Sequence, residues 1–233
     1  IRDTSVTGVQ TCALPIFLAA MMLAYQPIRS LATLNITAYQ GGAAFKRISK
    51  IIDKKIEIKN NPRLPDLKIS NCDIEFKNLN FKYETTNDRA LINLNLKIKG
   101  GSMTALVGQS GAGKSTIINL IPRFYEPQTG LISIDDKNID EVNLNSLRKN
   151  ISLVSQDVIL FDDTVKNNIL YANPGATNDE IIKACDNAAA TDFINNLPRK
   201  FDTKVGENGV RLSGGQKQRI SIARAILKRS SII

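Results

Sequence analysis

The sequence predicts an α/β domain with an antiparallel side sheet and a helical subdomain, preceded by the end of a long apolar helix. Three observations carry that expectation. Gly108-Gln109-Ser110-Gly111-Ala112-Gly113-Lys114-Ser115-Thr116 fills every position of the pattern G-x-x-x-x-G-K-[ST]. It lies between a β-type apolar run, 103–107, and a run over 116–121 that can continue as a helix. Residues 92–98 alternate apolar and polar as a half-buried antiparallel strand does, whereas helical signals dominate from Thr177 onward.

The first sixteen residues show no initiator Met and no hydrophobic period, and 6–16 resemble the translation of a sequencing adapter. Residues 1–16 are therefore set aside as non-native. From Phe17 the chain reads as one long helix, with Pro27 inside it, reaching Ile52. The nine apolar residues 17–25 fall short of the roughly 20 that span a bilayer, so this is the end of a span or a buried core helix. Arg29, Lys46, Arg47, Lys50, Lys54 and Lys55 then accumulate, as on the cytoplasmic side of a membrane helix. Ile28, Leu31, Leu34 and Ile36 keep an apolar stripe, and Gly41-Gly42-Ala43-Ala44 offers small residues to a neighbouring helix. Pattern alone leaves an amphipathic interaction helix equally open. Residues 53–72, charged and carrying Pro62 and Pro65, form a linker.

Ile74 and Phe76, then Leu79, Phe81 and Tyr83, alternate in two phases separated by Lys77-Asn78, which predicts strands meeting at a bulge or bend. Ile92, Leu94, Leu96 and Ile98 form the buried side of the next strand, and Gly100-Gly101 turns the chain toward 103–107. In the loop that follows, glycines let successive N–H groups point at phosphate oxygens, and the helix behind adds its positive end. Lys114 would reach the β- and γ-phosphates of a nucleotide and Ser115 would offer its hydroxyl to Mg²⁺. Further strands are expected at 131–134 and 151–154, around a short helix at 144–148.

Thr177-Asn178-Asp179-Glu180 has capping-box spacing ahead of Ile181, Ile182, Ala184 and Cys185, opening a helical subdomain over about 177–230. Leu212-Ser213-Gly214-Gly215-Gln216 opens a second helix there. Ile220, Ala223, Ala225 and Leu227 form its apolar face, against Arg219, Arg224 and Lys228. Residues 230–233 read as the start of a strand.

Composition excludes several chemistries. There is no histidine, so no histidine base or imidazole metal site exists in these residues. Cys12, Cys72 and Cys185 are odd in number and widely spaced, which argues against a disulfide framework. The net charge of +9 comes from scattered lysines without interleaved aromatics, a solvated surface rather than a nucleic-acid face.

Leu212-Ser213-Gly214-Gly215-Gln216-Lys217-Gln218-Arg219, following the phosphate loop, resembles the signature of ATP-binding-cassette (ABC) ATPases. The resemblance covers 73–233 and implies a RecA-like core with an antiparallel β side sheet and an α-helical subdomain. It also implies ATP and Mg²⁺ as ligands. Tyr83 matches the aromatic on which adenine stacks, and Gln156 matches the Q-loop. Val205-Gly206-Glu207-Asn208-Gly209 looks like the loop that precedes the signature in exporters. The resemblance thus assigns ATP to Tyr83, Gly108, Ser110, Gly111, Gly113, Lys114, Ser115 and Thr116. Lys114 and Gln156 become the catalytic residues, and Ser115 and Gln156 the Mg²⁺ contacts. Ser213, Gly214, Gly215 and Gln216 would meet the ATP of a partner subunit.

Tyr25-Gln26-Pro27-Ile28-Arg29-Ser30-Leu31 resembles the last transmembrane helix of bacterial half-transporters fused to their ATPase. The expectation is a fragment of an exporter of the bacterial inner membrane, working as a homodimer or heterodimer with a second half-transporter, and without nucleic acid. Its closest likeness is to lipid A and lipid-linked-oligosaccharide flippases, with multidrug, peptide and bacteriocin exporters open. A soluble ABC protein of translation or DNA repair is the alternative. In the family, an Asp and a Glu on the strand entered near Ile232, and a later switch His, complete the machinery; all three fall beyond residue 233. The polypeptide is therefore expected to bind ATP without hydrolysing it.

Overall fold

A computed structural model describes residues 5–233 other than 57 and 87, with side chains from residue 13 onward. Residues 1–4 of the adapter-like stretch and the Cys12 side chain lie outside the described residues. The chain divides into two units, Ile1–Glu57 and Ile58–Ile233.

The first unit is one helix, α1 (Ser5–Ile52), with Pro15 and Pro27 inside it. It starts well before residue 17, so the adapter-like stretch, expected to be patternless, continues the helix. Counting 17–25 alone understated its reach: Ala13–Ile52 is long and apolar enough to cross a membrane by length and composition. From Leu14 onward its large side chains are exposed, Met22 and Leu23 each at 77 %. Hydroxyls along it turn inward, Ser30 donating to Gln26 O at 2.9 Å and Thr37 to Thr33 O at 2.9 Å. This leaves fewer polar hydrogens facing outward.

In the second unit β1 (Ile74–Phe81), β2 (Leu91–Ile98), β3 (Thr129–Ile134) and β4 (Lys137–Asn138) form one antiparallel sheet in the order β2-β1-β3-β4. The bulge or bend expected at Lys77-Asn78 is a bulge: the β1–β2 register shifts between Phe76 and Leu79, and Asn78 has φ 46°. A second bulge was not foreseen. Leu79 pairs with Leu94 and Phe81 with Leu91, so three steps on β2 face two on β1, with Asn93 at φ 47°. The extra residue flips the phase, burying Leu91 and leaving Ile92 69 % exposed, which corrects the place assigned to Ile92. Asparagine amides repair both gaps, Asn95 Oδ1 accepting from Asn78 N at 2.9 Å and Asn80 Oδ1 from Asn93 N at 3.0 Å.

Asp135 and Asp136, with φ 49° and 62°, turn β3 into β4 with the positive φ at both central residues that tight hairpins favour. Burial would raise the Asp135 carboxyl, yet backbone N–H groups of Ser70, Asp73, Cys72 and Asn71 hold it down at about 2. One face of the sheet packs Phe76, Leu79, Ile132 and Ile134 against α2 (Lys114–Leu120) and α3 (Leu144–Lys149) through Leu120 and Leu147.

The strand expected at 103–107 is not one. The segment runs extended into the phosphate loop with Met103 and Val107 almost fully exposed, and no neighbour among the described residues supplies ladder hydrogen bonds. Apolar, β-type sequence becomes a strand only where a second strand pairs with it. At 151–154 only a fragment of a ladder forms: Ile151 bridges Ile232 in parallel, with Ser152 N on Ile232 O at 2.8 Å.

The helical subdomain contains α4 (Val165–Leu170), α5 (Asn178–Asn187), α6 (Thr191–Asn195) and α7 (Gly214–Lys228). Its core joins Leu160, Val165 and Ile169 to Ile181, Ile194 and Ile220, so the subdomain begins before Thr177. With only six residues, two of them asparagines, α4 offers too little apolar period to be read. The Thr177 capping box is formed, with Glu180 Oε2 accepting from Thr177 N at 2.8 Å. Ile220, Ala223, Ala225 and Leu227 are buried as the pattern on α7 required. The opposite face is not simply solvated: Arg219, Arg224 and Lys228 all donate to backbone carbonyls of other segments. Their long stems let the charged heads reach backbone carbonyls across the surface. Cys185 is fully buried and its thiol is pushed up to about 12 by that burial, so it is chemically inert.

Candidate nucleotide-binding site

The phosphate loop leaves the extended 103–107 segment and enters α2 through Gly113. That residue caps the helix at φ 83°, a conformation that favours glycine. Space imposes the same choice. A Cβ on Gly113 would sit 2.7 Å from Leu91 Cδ2 and 2.9 Å from Ala90 O, so β2 itself fixes how closely the loop can pass. Gly111, at φ 84°, has nothing within 4 Å of such a Cβ; its constraint is conformation, not space. Gly108, Ser110, Gly111 and Ser115 are exposed, leaving the loop open along one side.

Lys114 folds over this loop, its Nζ donating to Gly108 O at 2.9 Å and to Gln109 O at 2.7 Å. The ammonium is thus held at the loop by its own backbone, where an incoming anion would meet it. Thr116, the residue after the pattern, is buried, and its Oγ1 accepts from the Tyr83 hydroxyl at 3.1 Å. The Tyr83 ring meets Phe81 and Tyr125 edge to face, with centroids 4.7 and 5.0 Å away. An aromatic corner therefore stands beside the loop's exit helix, joined to it by one hydrogen bond. Sequence reading singled out Tyr83 and Thr116 separately; their bond and Tyr125 had no linear signal.

Ser213 caps α7. Its Oγ accepts from Gln216 N at 3.3 Å while Gln216 Oε1 accepts from Ser213 N at 2.9 Å. Added Cβ atoms at Gly214 and Gly215 would meet nothing within 4 Å. No contact among the described residues demands glycine at either position, which directs attention to a ligand approaching from outside. The loop ahead is braced: Lys217 Nζ donates to Asn208 O at 2.8 Å, and a Cβ on Gly209 would strike Leu160 Cδ1 at 2.7 Å. Glu207 opens the short 3-10 turn Glu207–Gly209 in that segment.

The structure therefore joins Tyr83 to Thr116 and folds Lys114 back onto Gly108 and Gln109, on the short helix that Gly113 caps. Gln156 is exposed on the loop after Leu153, and neither it nor residues 213–216 hydrogen-bond to residues 108–116. The donor set fits a nucleotide triphosphate: an ammonium held at the loop by two carbonyls, backbone amides at a helix start and an exposed hydroxyl at Ser115. Ser115 and Gln156 would each offer Mg²⁺ a neutral oxygen, which suits an ion carried largely by phosphates and water.

Residues 91–233 match the sequence model of a family described as "ABC transporter". The chain belongs to the ABC transporter family. Among relatives of this ABC transporter chain, the "ATP-dependent lipid A-core flippase" of Syntrophus aciditrophicus is 46 % identical over 217 residues, covering 93 % of the chain and 36 % of the relative. The flippase of the same description from Coxiella burnetii is 45 % identical, covering 92 % and 36 %. An "Uncharacterized ABC transporter ATP-binding protein" of Sinorhizobium fredii is 43 % identical, covering 93 % and 37 %. A solved structure titled "Structure of a bacterial Atm1-family ABC exporter with ATP bound" superposes with a TM-score of 0.77 at 42 % identity, covering 83 % of this chain and 34 % of that one. The chain thus spans a little over a third of the length of these relatives, and the part it spans is the ABC ATPase domain with a helix ahead of it.

Proposed function

We propose that the chain is the ATP-binding and ATP-hydrolysing part of a bacterial ABC exporter, in which nucleotide binding drives a substrate across the inner membrane. The observation that carries this reading is the phosphate loop itself, with Lys114 held on Gly108 O and Gln109 O beside the Tyr83–Thr116 corner. An anion entering the loop gives Lys114 a full charge in place of two carbonyl dipoles, a stronger partner for an ammonium. Loop amides and the start of α2 then hold the phosphates, while Tyr83 borders the base. The nucleotide supplies the high-energy phosphoryl bond and brings Mg²⁺; Ser115 and Gln156 position the metal and its water.

Ser213, Gly214, Gly215 and Gln216 act on the nucleotide of a second subunit, a role supported by glycines that nothing within this chain requires. A homodimer is favoured, a heterodimer with another half-transporter being compatible with the same residues. Helix α1 is read as the end of the last transmembrane span, supported by the length and apolarity of Ala13–Ile52 and by the cations that follow. Lipids or lipid-linked glycans are the favoured cargo, on the strength of the relatives named as lipid A-core flippases. The relatives and the solved structure named above do not favour the alternative, a soluble ABC protein of translation or DNA repair. The 233-residue polypeptide alone is proposed to bind ATP without turning it over, because the Mg²⁺-holding and water-orienting carboxylates of the family are not among its residues. The deciding experiment is titration of a fluorescent ATP analogue into the full-length protein and its Lys114→Ala variant. Saturable binding lost in the variant is expected; binding that survives it would remove the assignment.

A further inference from the structure

Arg224 lies in the middle of α7, about 16 Å along the helix from Ser213. It forms no ion pair among the described residues; its guanidinium is spent on oxygens of a different segment. Nε donates to Asn168 O at 2.6 Å, NH2 to Asn168 Oδ1 at 2.6 Å and NH1 to Ile159 O at 2.8 Å, and the group lies 5.9 Å from the Phe161 ring centre. Asn168 O is one of the last carbonyls of α4 and has no backbone donor, so the cation sits where a helix C-terminus attracts one.

Asn168 extends the grip. It is 1 % exposed, and its amide donates to Phe161 O at 3.0 Å and Thr164 O at 2.9 Å while Oδ1 also accepts from Phe161 N at 2.9 Å. Arg224 and Asn168 together thus hold residues 159–164, the stretch that begins three residues after Gln156. Burial pulls the Arg224 guanidinium below its ordinary value, though from a starting point at which it stays charged.

The geometry points to Arg224 as a positioning residue that makes the Gln156 loop and the Ser213 end of α7 move as one body. The inference rests on the nucleotide reading above. A 15-residue helix is stiff, so a displacement of Ser213 toward a phosphate carries Arg224 with it. Through the Ile159 carbonyl, that displacement reaches the chain leaving Gln156. Conversely, a shift at Gln156 pulls on the helix that presents Ser213. Only a planar fork holds Ile159 O and both oxygens of Asn168 at once; a lysine keeps the charge and gives up the shape.

The test is Arg224→Lys in the full-length protein in lipid vesicles, with Mg-ATP as the probe. The expected result is a split: ATP affinity and KM change by less than about twofold, while kcat falls by about tenfold, the order of loss from a misplaced group. Combined with Gln156→Ala, Arg224→Lys should produce no further fall, since both act on one positioning step. Additive losses, or an unchanged kcat in folded Arg224→Lys, would overturn the inference. If Arg224→Lys fails to accumulate, amide exchange in the wild-type protein decides. Protection over 158–161 and over 213–217 must follow ATP with one midpoint, and two separate midpoints refute the link. Failure of the wild type to bind ATP at all would instead sink the nucleotide reading.

Discussion

The two glycine-rich loops at helix starts are built on opposite principles. In the phosphate loop, Gly113 is forced by its own chain: β2 lies where a Cβ would go, and φ is positive. At residues 213–216 the chain forces nothing, for Gly214 and Gly215 have open space around them and Ser213 with Gln216 already closes a capping box. Internal packing shapes the first loop before any ligand arrives. The second keeps glycine for something that arrives later, so its sequence records an intermolecular surface.

Substitutions can break that contrast. Lys114→Ala removes the one cation folded into the phosphate loop and should cost at least about a hundredfold in ATP turnover by the full-length protein, followed as phosphate release. Gly113→Ala should lower stability by about 1–3 kcal/mol in a denaturant melt and weaken nucleotide binding with it, because strain and collision act in the empty protein. Gly214→Ala is the sharper test: its melt should stay within about 0.5 kcal/mol of wild type, with turnover falling and ATP affinity of the isolated chain unchanged. Equal destabilisation by both glycine variants would erase the distinction between the loops. Ser213→Ala should show both effects in small measure, about 1 kcal/mol of lost capping together with slower turnover.

Outside both loops, Asp135 gives the smallest effect and a control. Its carboxyl is depressed to about 2 in the folded chain, below the unfolded value near about 4. The stabilisation is therefore present above about pH 4 and lost as pH falls through about 2. Asp135→Asn should reduce that acid-limb dependence in a thermal melt series and leave ATP binding untouched; a strengthened dependence would contradict the hydrogen-bond account.

What was legible in the sequence follows from the range of the forces involved. The capping box at Thr177, the helix start at Ser213 and the apolar face of α7 are local and are present as expected, whereas the second capping box, at Ser213, emerges only in the structure. Ile92 was misplaced because a bulge at Asn93 is decided by the partner strand, and 103–107 because β-type residues do not reveal whether a neighbour pairs with them. The phosphate loop was complete in the sequence, but the Tyr83–Thr116 bond joins residues far apart in the chain. Arg224 read as one more surface cation. Two of its three partners are backbone carbonyls, which every residue carries and no side-chain pattern announces, and the third belongs to an asparagine 56 positions away.

The paired bulges of β1 and β2 carry one more consequence. β2 is an outer strand, and an outer strand with an exposed isoleucine invites a second molecule to add on. At Asn93 and Asn78 the ladder is broken by bulges, and the Asn80 and Asn95 side chains tie both amides across to the neighbouring strand, so the border is kinked where a flat edge would accept an added strand. Four asparagines thus act as a selvedge, finishing the cloth at its border so that it neither frays nor knits itself to the next piece.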